Sequence, residues 1–277
     1  MPTIRLIALD LDGTTLGSDR RPSPGSIDAI AEARAAGIMV ILASGRIASS
    51  VRDFSAQLAT DSALVASNGA YAELGPDQMV HHLPVDDRVR DIILEYAAET
   101  GIHLNVYRKD EMVMRHDSAM GDLYLSRVSN LTPFYRTDDE LRNEPATKLL
   151  IVDDPDQLKR HEAAIRARIN GMEVETLFST VYSEPEYLEF LNPNADKAYG
   201  LRALGERLGI QLEEMAAIGD YWNDAAMLAA VGLSGTVENA PNELKSQVHH
   251  VFAKNDEGGA SEFIRSIVYN HGKPILK

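Results

Sequence analysis

Two aspartates placed two residues apart, Asp10 and Asp12, interrupt the apolar run of "IALDLDGTTL" between Ile7 and Leu16. A carboxylate at the end of a buried run is costly unless something compensates it. In extended backbone, residues two apart lie on one side, so both carboxylates can address one point as the chain leaves a strand. Gly13 then permits a sharp turn and offers an N–H to an anion. Three other apolar runs end in similar polar punctuation: Ser44-Gly45-Arg46, Asn68-Gly69, and Asp220 with Asn223 and Asp224. Two unit charges about 4 Å apart repel by roughly 4 kcal/mol at an effective dielectric near 20, so facing aspartates call for a cation. Only oxygen ligands are available in these stretches, which suits Mg²⁺ best. Because Mg²⁺ completes its shell with substrate phosphate, an acidic cluster of this kind becomes a phosphate site.

The flanking elements must bring those strand ends together. Leu6 to Leu9, Ile38 to Arg46 and Ala63 to Ala70 read as strands, the second running into a Ser-Gly turn, and the first a continuous apolar run of the kind covered on both faces in a parallel sheet. Between them, Ser23-Pro24 reads as the N-cap and first position of a helix through Ile27, Ile30, Ala31 and Arg34 that stops at Gly37, and a second helix runs through Val51, Phe54 and Leu58. The alternation implies right-handed crossovers and a parallel sheet, with ligands bound beyond the carboxyl ends of the strands. After about His82 the texture changes. A helix over Asp86–Thr100, alternating short strands within His103–Arg115, helices near Ser118–Val128 and Gln157–Ile169, a strand over Thr147–Asp154 and strand pattern over Met172–Leu191 read as a separate mixed domain. From Asn192 the parallel-sheet pattern returns, with a helix over Asp196–Leu208, the buried strand "MAAIGD", a helix from Trp222 and a closing strand and helix.

Composition narrows the alternatives. The 277-residue chain is 44% hydrophobic, enough for a sizeable core, and has no apolar stretch of about 18 residues. With 42 acidic against 27 basic residues, a net charge of −15 disfavours nucleic acid and anionic membranes as partners. No cysteine is present, which excludes disulfides, thiolate metal sites and cysteine nucleophiles. The start "MPTIRLIALDLDG" carries an aspartate where a secretion signal needs apolar residues, so the cytoplasm is the expected location. No G-x-G-x-x-G follows the first strand and no G-x-x-x-x-G-K-[ST] occurs, which disfavours a nicotinamide module or a nucleoside triphosphate motor.

Taken in order, "LDLDGTTL", "ILASGR", the lysine of "NADKAYGL" and "IGDYWNDAAML" resemble the four motifs of the haloacid dehalogenase superfamily. The size and position of the insert, with "SNGA", "VENAPNELK" and "NDEGGASEFI", resemble its Cof-type phosphatase branch, which carries a C2B cap. The resemblance implies a Rossmann-like parallel-sheet core with helices on both faces, built from residues 1–82 and 188–277, and an α+β cap over residues 83–187. It implies Mg²⁺-dependent hydrolysis of small phosphomonoesters, sugar phosphates above all, through an aspartyl-phosphate. Asp10 would be the nucleophile and Asp12 the acid that protonates the leaving group and then the base that activates water. Leu11, Ser44, Gly45, Lys197 and Asn223 would bind the phosphoryl group. Asp10, the Asp12 main-chain carbonyl and Asp220 would bind the metal, with Asp224 supporting the metal shell or orienting Lys197. Relatives that keep the phosphoenzyme for a pump cycle carry threonine where Asp12 stands.

The sequence departs from the branch at Ala198 and Asn194, where glycines are common, at Glu238, which replaces a glycine, and at the bulky Tyr221-Trp222. Arg46 is expected to cap or pair with an acid, Trp222 to pack in a core or lid, and His81-His82 and His249-His250 to be surface pairs. Substrate choice is expected to lie in the insert, with Arg108, Lys109, Arg115, His116, Tyr182 and Glu184 as candidate contacts. Two further readings stand beside the phosphatase: a phosphomutase or phosphoglycolate-type phosphatase of the same superfamily, and a non-catalytic Mg²⁺- or phosphate-sensing α/β protein. The partner expected in each case is a small phosphorylated metabolite, with no nucleic acid or membrane.

Overall fold

The structure is a computed structural model that describes residues 3–128, 132–174 and 176–270. The chain divides into two compact units, Met1–His81 with Asp196–Lys277, and His82–Ala195. In chain order the strands are β1 (Leu6–Leu9), β2 (Met39–Ala43), β3 (Leu64–Ala66), β4 (Tyr71–Glu73) and β5 (Met79–His82). The insert supplies β6 (Leu104–Tyr107), β7 (Met112–Met114), β8 (Phe134–Tyr135), β9 (Lys148–Val152), β10 (Ser179–Glu184) and β11 (Tyr187–Leu191). The chain then adds β12 (Met215–Ile218), β13 (Leu233–Val237) and β14 (His250–Phe252).

The first unit holds a sheet of order β14-β13-β12-β1-β2-β3-β4-β5. From β14 to β3 all neighbours are parallel; β4 runs antiparallel to β3. Alternate residues of β1 to β3 point to opposite faces, and both faces are covered. Ile7, Leu9, Val40, Leu42 and Leu64 pack with residues of the helices Ser26–Ala35, Ala48–Leu58 and Gly259–Tyr269. Leu6, Ala8, Ile41, Ala43 and Val65 pack with the helices Lys197–Leu208 and Ala225–Ala230. Each fully buried Leu or Ile contributes about 2 kcal/mol, which explains the unbroken apolar runs. Strand order reverses at β1, with β2 and β3 on one side and β12 and β13 on the other, so the crevice beyond its carboxyl end is the ligand position of such sheets. Asp10 follows β1 directly, and its N–H donates to the Ile218 carbonyl at 3.0 Å, which ties it to the end of β12.

The first helix begins later than its sequence suggests. The Ser23 N–H donates to the Thr15 carbonyl at 2.9 Å and Pro22 bridges Leu16, which keeps this segment extended. The helix starts at Ser26 after a left-handed Gly25, and it buries Ala29, Ile30 and Ala33, leaving Ile27 exposed. The expected strand over Ala63–Ala70 is also divided. Only Leu64–Ala66 is parallel strand; Ser67 and Asn68 turn the chain, and β4 returns antiparallel with Tyr71 opposite Ala66.

The second unit is a six-stranded sheet of order β10-β11-β9-β6-β7-β8, antiparallel except for the β7–β8 pair. One face, with Leu104, Val106, Leu149, Ile151, Leu188 and Phe190, packs against residues of the helices Asp87–Thr100 and Pro155–Ile169. The boundary expected after residue 187 is corrected: Tyr187–Leu191 pairs with β9 and β10, so the first unit resumes only at Asp196. Strand pattern expected from Met172 begins at Ser179, with Glu175 outside the described residues.

Candidate active site

The ends of β1 and β12 and the start of the helix Lys197–Leu208 build one cluster. Lys197, the first residue of its helix, is fully buried and its Nζ donates to Asp10 Oδ1 at 2.6 Å and to Asp224 Oδ1 at 2.5 Å. Asp224 Oδ2 accepts from the N–H groups of Asp220 (2.9 Å) and Tyr221 (3.1 Å), which closes the turn after β12. Asp220 accepts from the Thr14 hydroxyl at 3.0 Å, and Thr15 donates to the Asp10 carbonyl. Carboxylate oxygens of Asp10, Asp220 and Asp224 lie within 4.8 Å of one another. Gly13 is required here: it is left-handed at φ 75°, and a Cβ would stand 2.3 Å from Asp220 Oδ2.

Three carboxylates face one ammonium, and the charges show the imbalance. Burial, then the charges of Asp224 and Asp220, push the Asp10 carboxyl well above the usual range, although Lys197 works against them. Burial and Asp224 push Asp220 up to about 7. Lys197 is raised despite its burial, because Asp10 and Asp224 favour its charge. A divalent ion would relieve this repulsion, and a donor set made only of oxygens fits Mg²⁺.

Asp12 lies apart from the three clustered carboxylates. Its Oδ2 and Oδ1 accept from Arg46 Nε (2.7 Å) and Nη2 (2.6 Å), and the guanidinium lies over the Phe54 ring at 4.8 Å. Burial works against the Asp12 charge, but the hydrogen bonds and charge of Arg46 outweigh it and hold the carboxyl below the usual range. The expected metal contact of Asp12 is through its main-chain carbonyl, which this pairing leaves untouched.

Ser44 is buried, and its Oγ accepts from the Arg46 N–H at 3.2 Å. Asn223 donates to Asn68 Oδ1 at 3.0 Å. The Leu11 side chain is in the core, so only its backbone can face a ligand. Two residues given no role from the sequence hold the Asp10 loop: Asn239 donates to the Gly13 carbonyl (2.9 Å), and Asn255 donates from Nδ2 to the Leu16 carbonyl (2.9 Å) and from its N–H to Asn239 Oδ1 (3.0 Å). They fall in "VENAPNELK" and "NDEGGASEFI", two of the stretches that carried the family resemblance, which was the available signal.

Some expectations are corrected. Trp222 is 46% exposed in a short 3-10 turn, because the helix of this segment starts only at Ala225. His81 is not a simple surface residue; its Nε2 lies 2.7 Å from the Gly69 carbonyl and its ring meets Tyr199 edge-on. His249 Nδ1 accepts from the Ser234 N–H at 3.0 Å. In the insert, several candidate contacts hold their own unit together. Arg108 pairs with Glu144 (2.6 Å), Arg115 with Asp138 (2.5 Å), Glu184 with Arg127 (3.5 Å), and the Tyr182 hydroxyl donates to Glu162 (2.6 Å). Lys109 is half-buried beside Asp110 at 3.9 Å, and His116 is exposed. Among the described residues, no helix is long and apolar enough to cross a membrane.

A family model for haloacid dehalogenase-like hydrolases matches residues 7–264. A Streptococcus pyogenes protein with a provisional phosphatase name is 30% identical over 275 residues, covering 97% of this chain and 100% of its own. The pyridoxal phosphate phosphatase YbhA of Escherichia coli is 30% identical over 285 residues, with 95% and 98% covered. The crystal structure of TM0651 from Thermotoga maritima is similar with a TM-score of 0.82 and 28% identity, covering 95% of this chain and 97% of that one. The chain belongs to the haloacid dehalogenase-like hydrolases. Within that family it is a phosphatase.

Proposed function

We propose that the chain hydrolyses small phosphomonoesters, sugar phosphates foremost, through a covalent phosphoryl group on Asp10 with Mg²⁺ as the ion. The observation that carries this reading is the buried Lys197 shared by Asp10 and Asp224, with Asp220 within 4.8 Å. Such a cluster has a nucleophile, a fixed cation and an oxygen donor set at one strand-end crevice. Asp10, the Asp12 main-chain carbonyl and Asp220 would hold the ion, with Asp224 fixing Lys197 and the backbone at Asp220. When bound, Mg²⁺ supplies positive charge that offsets the carboxylates and draws charge from a phosphoryl oxygen.

An Asp10 carboxylate oxygen attacks phosphorus opposite the ester oxygen. The Asp10–phosphorus bond forms as the bond to the leaving oxygen breaks, and Asp12 gives its proton to that oxygen. Asp12, now ionised, takes a proton from water as the water oxygen attacks phosphorus, which releases phosphate and restores Asp10. Lys197, the Ser44 hydroxyl, the Gly45 and Leu11 N–H groups and Asn223 hold the phosphoryl oxygens while charge grows on them. Asp12 must first part from Arg46 and take up a proton from water before it can act as the acid.

A relative named for pyridoxal phosphate supports a small phosphate ester as substrate. The insert is the element to which we assign substrate choice, as its cap. Phosphorylated metabolites are made and kept inside cells, which supports a cytoplasmic reaction. Purified protein should release phosphate from p-nitrophenyl phosphate and a panel of sugar phosphates when Mg²⁺ is supplied, and Asp10→Asn should abolish release. No release from any of them, or full activity in Asp10→Asn, would contradict the proposal.

A further inference from the structure

The turn after β3 carries two non-glycine residues in the left-handed region, Ser67 at φ 49° and Asn68 at φ 53°, followed by Gly69 at φ 89°. All three are buried. Backbone of this kind persists only where its surroundings hold it, and such positions collect at functional sites. Here the surroundings are the ends of β2 and β12 and the start of the Lys197 helix. The Ser67 and Asn68 N–H groups donate to the carbonyls of Arg46 (2.8 Å) and Ser44 (3.1 Å). Gly69 lies so close to Asp196, the residue before Lys197, that a Cβ would stand 1.8 Å from the Asp196 carbonyl oxygen. The Asn68 side chain accepts from Asn223 Nδ2, and a Cβ on Gly45 would stand 2.9 Å from Asn68 Oδ1.

We propose that Asn68 is a positioning residue for the phosphoryl-binding groups, acting mainly through Asn223; the inference rests on the phosphatase reading above. The side chain type follows from the site. Asn tolerates left-handed backbone better than other residues with a Cβ. Its amide oxygen gives Asn223 an acceptor without a further negative charge beside Asp10, Asp220 and Asp224. A carboxylate at the same place would keep the acceptor and repel the arriving phosphoryl group.

A double-mutant cycle tests it, with p-nitrophenyl phosphate as substrate and inorganic phosphate as inhibitor. Asn68→Gly keeps the left-handed backbone and removes the acceptor. It should raise KM and the inhibition constant of phosphate about tenfold, the size of one lost hydrogen bond to a polar partner, and change kcat less than threefold. Asn223→Ala should raise both constants at least as far and lower kcat as well, because Asn223 itself holds the phosphoryl group, and the double variant should be no worse than about twice Asn223→Ala alone, since paired residues are not additive. Losses that multiply, or an Asn68→Gly enzyme with unchanged KM and phosphate inhibition, overturn the assignment. Asn68→Asp, which keeps the shape and the acceptor, should weaken phosphate inhibition at least tenfold through its charge; unchanged inhibition overturns it as well. Turnover by the unaltered protein and its loss in Asp10→Asn are measured first, so failure of the parent reading is seen separately from failure of this one.

Discussion

Arg46 grips both carboxylate oxygens of Asp12, through Nε at 2.7 Å and Nη2 at 2.6 Å, across 34 residues of sequence. The pair holds the proposed acid in its charged form. Only 12% of the Arg46 side chain is exposed, against 46% for Asp12, so the arginine is the anchored partner and the aspartate the one free to swing.

Removing the guanidinium with Arg46→Met should let the Asp12 carboxyl rise toward its ordinary range, because the hydrogen bonds and charge of Arg46 are what hold it down. The protonated acid then persists to higher pH. The alkaline limb of kcat/KM, which reports the free enzyme, should move upward, and a full pH–rate profile of both proteins checks the shift.

The metal-free protein should lose stability as pH rises. Asp220 has a folded value of about 7 against an ordinary 3.8, so its contribution is complete below about 3.8 and is lost as pH climbs through about 7. Asp10 is raised as well and acts in the same direction. Melting curves with chelator should fall between about pH 4 and pH 8. Mg²⁺ should raise the melting temperature more at pH 8 than at pH 6, because protons compete for its ligands.

Lys197→Met leaves Asp10 and Asp224 buried without their cation. It should remove phosphatase activity and cost about 3–5 kcal/mol of stability at pH 8, the scale for breaking a buried ion pair from one side. At pH 5 the carboxylates can protonate, so urea unfolding should show a smaller deficit there.

The geometry at Gly13 gives a steric prediction. Gly13→Ala puts a methyl 2.3 Å from Asp220 Oδ2 on a backbone at φ 75°. The variant should fold, with a stability loss of about 1 kcal/mol or more, yet need far more Mg²⁺ for half-maximal phosphate release. A Mg²⁺ titration against normal circular dichroism checks both parts.

Much of the parallel core was legible because its chemistry sits where periodicity is strongest. Apolar runs covered on both faces end abruptly in Asp10, Ser44 and Asp220, and a lysine opens the helix that follows the insert. The β4–β5 extension was not legible, since strands of three and four residues carry little pattern and the Ser67-Asn68-Gly69 turn hides a reversal inside what reads as one strand. The strand pattern over Met172–Leu191 already put "YLEFL" in the insert, in keeping with its antiparallel pairing with β9; the boundary after residue 187 came with the family resemblance and cut that strand off. The Arg46–Asp12, Asn68–Asn223 and Asn239–Gly13 contacts join residues 34, 155 and 226 positions apart, a distance at which no local pattern speaks.

The covalent step is tested most directly by trapping it. Asp12→Asn should let the phosphoryl group arrive on Asp10 and slow its departure, so acid quenching during turnover followed by peptide mass analysis should find one phosphoryl group on the peptide holding Asp10. Continued phosphate release with no modified peptide, or a phosphoryl group on any other residue, would contradict a nucleophilic Asp10.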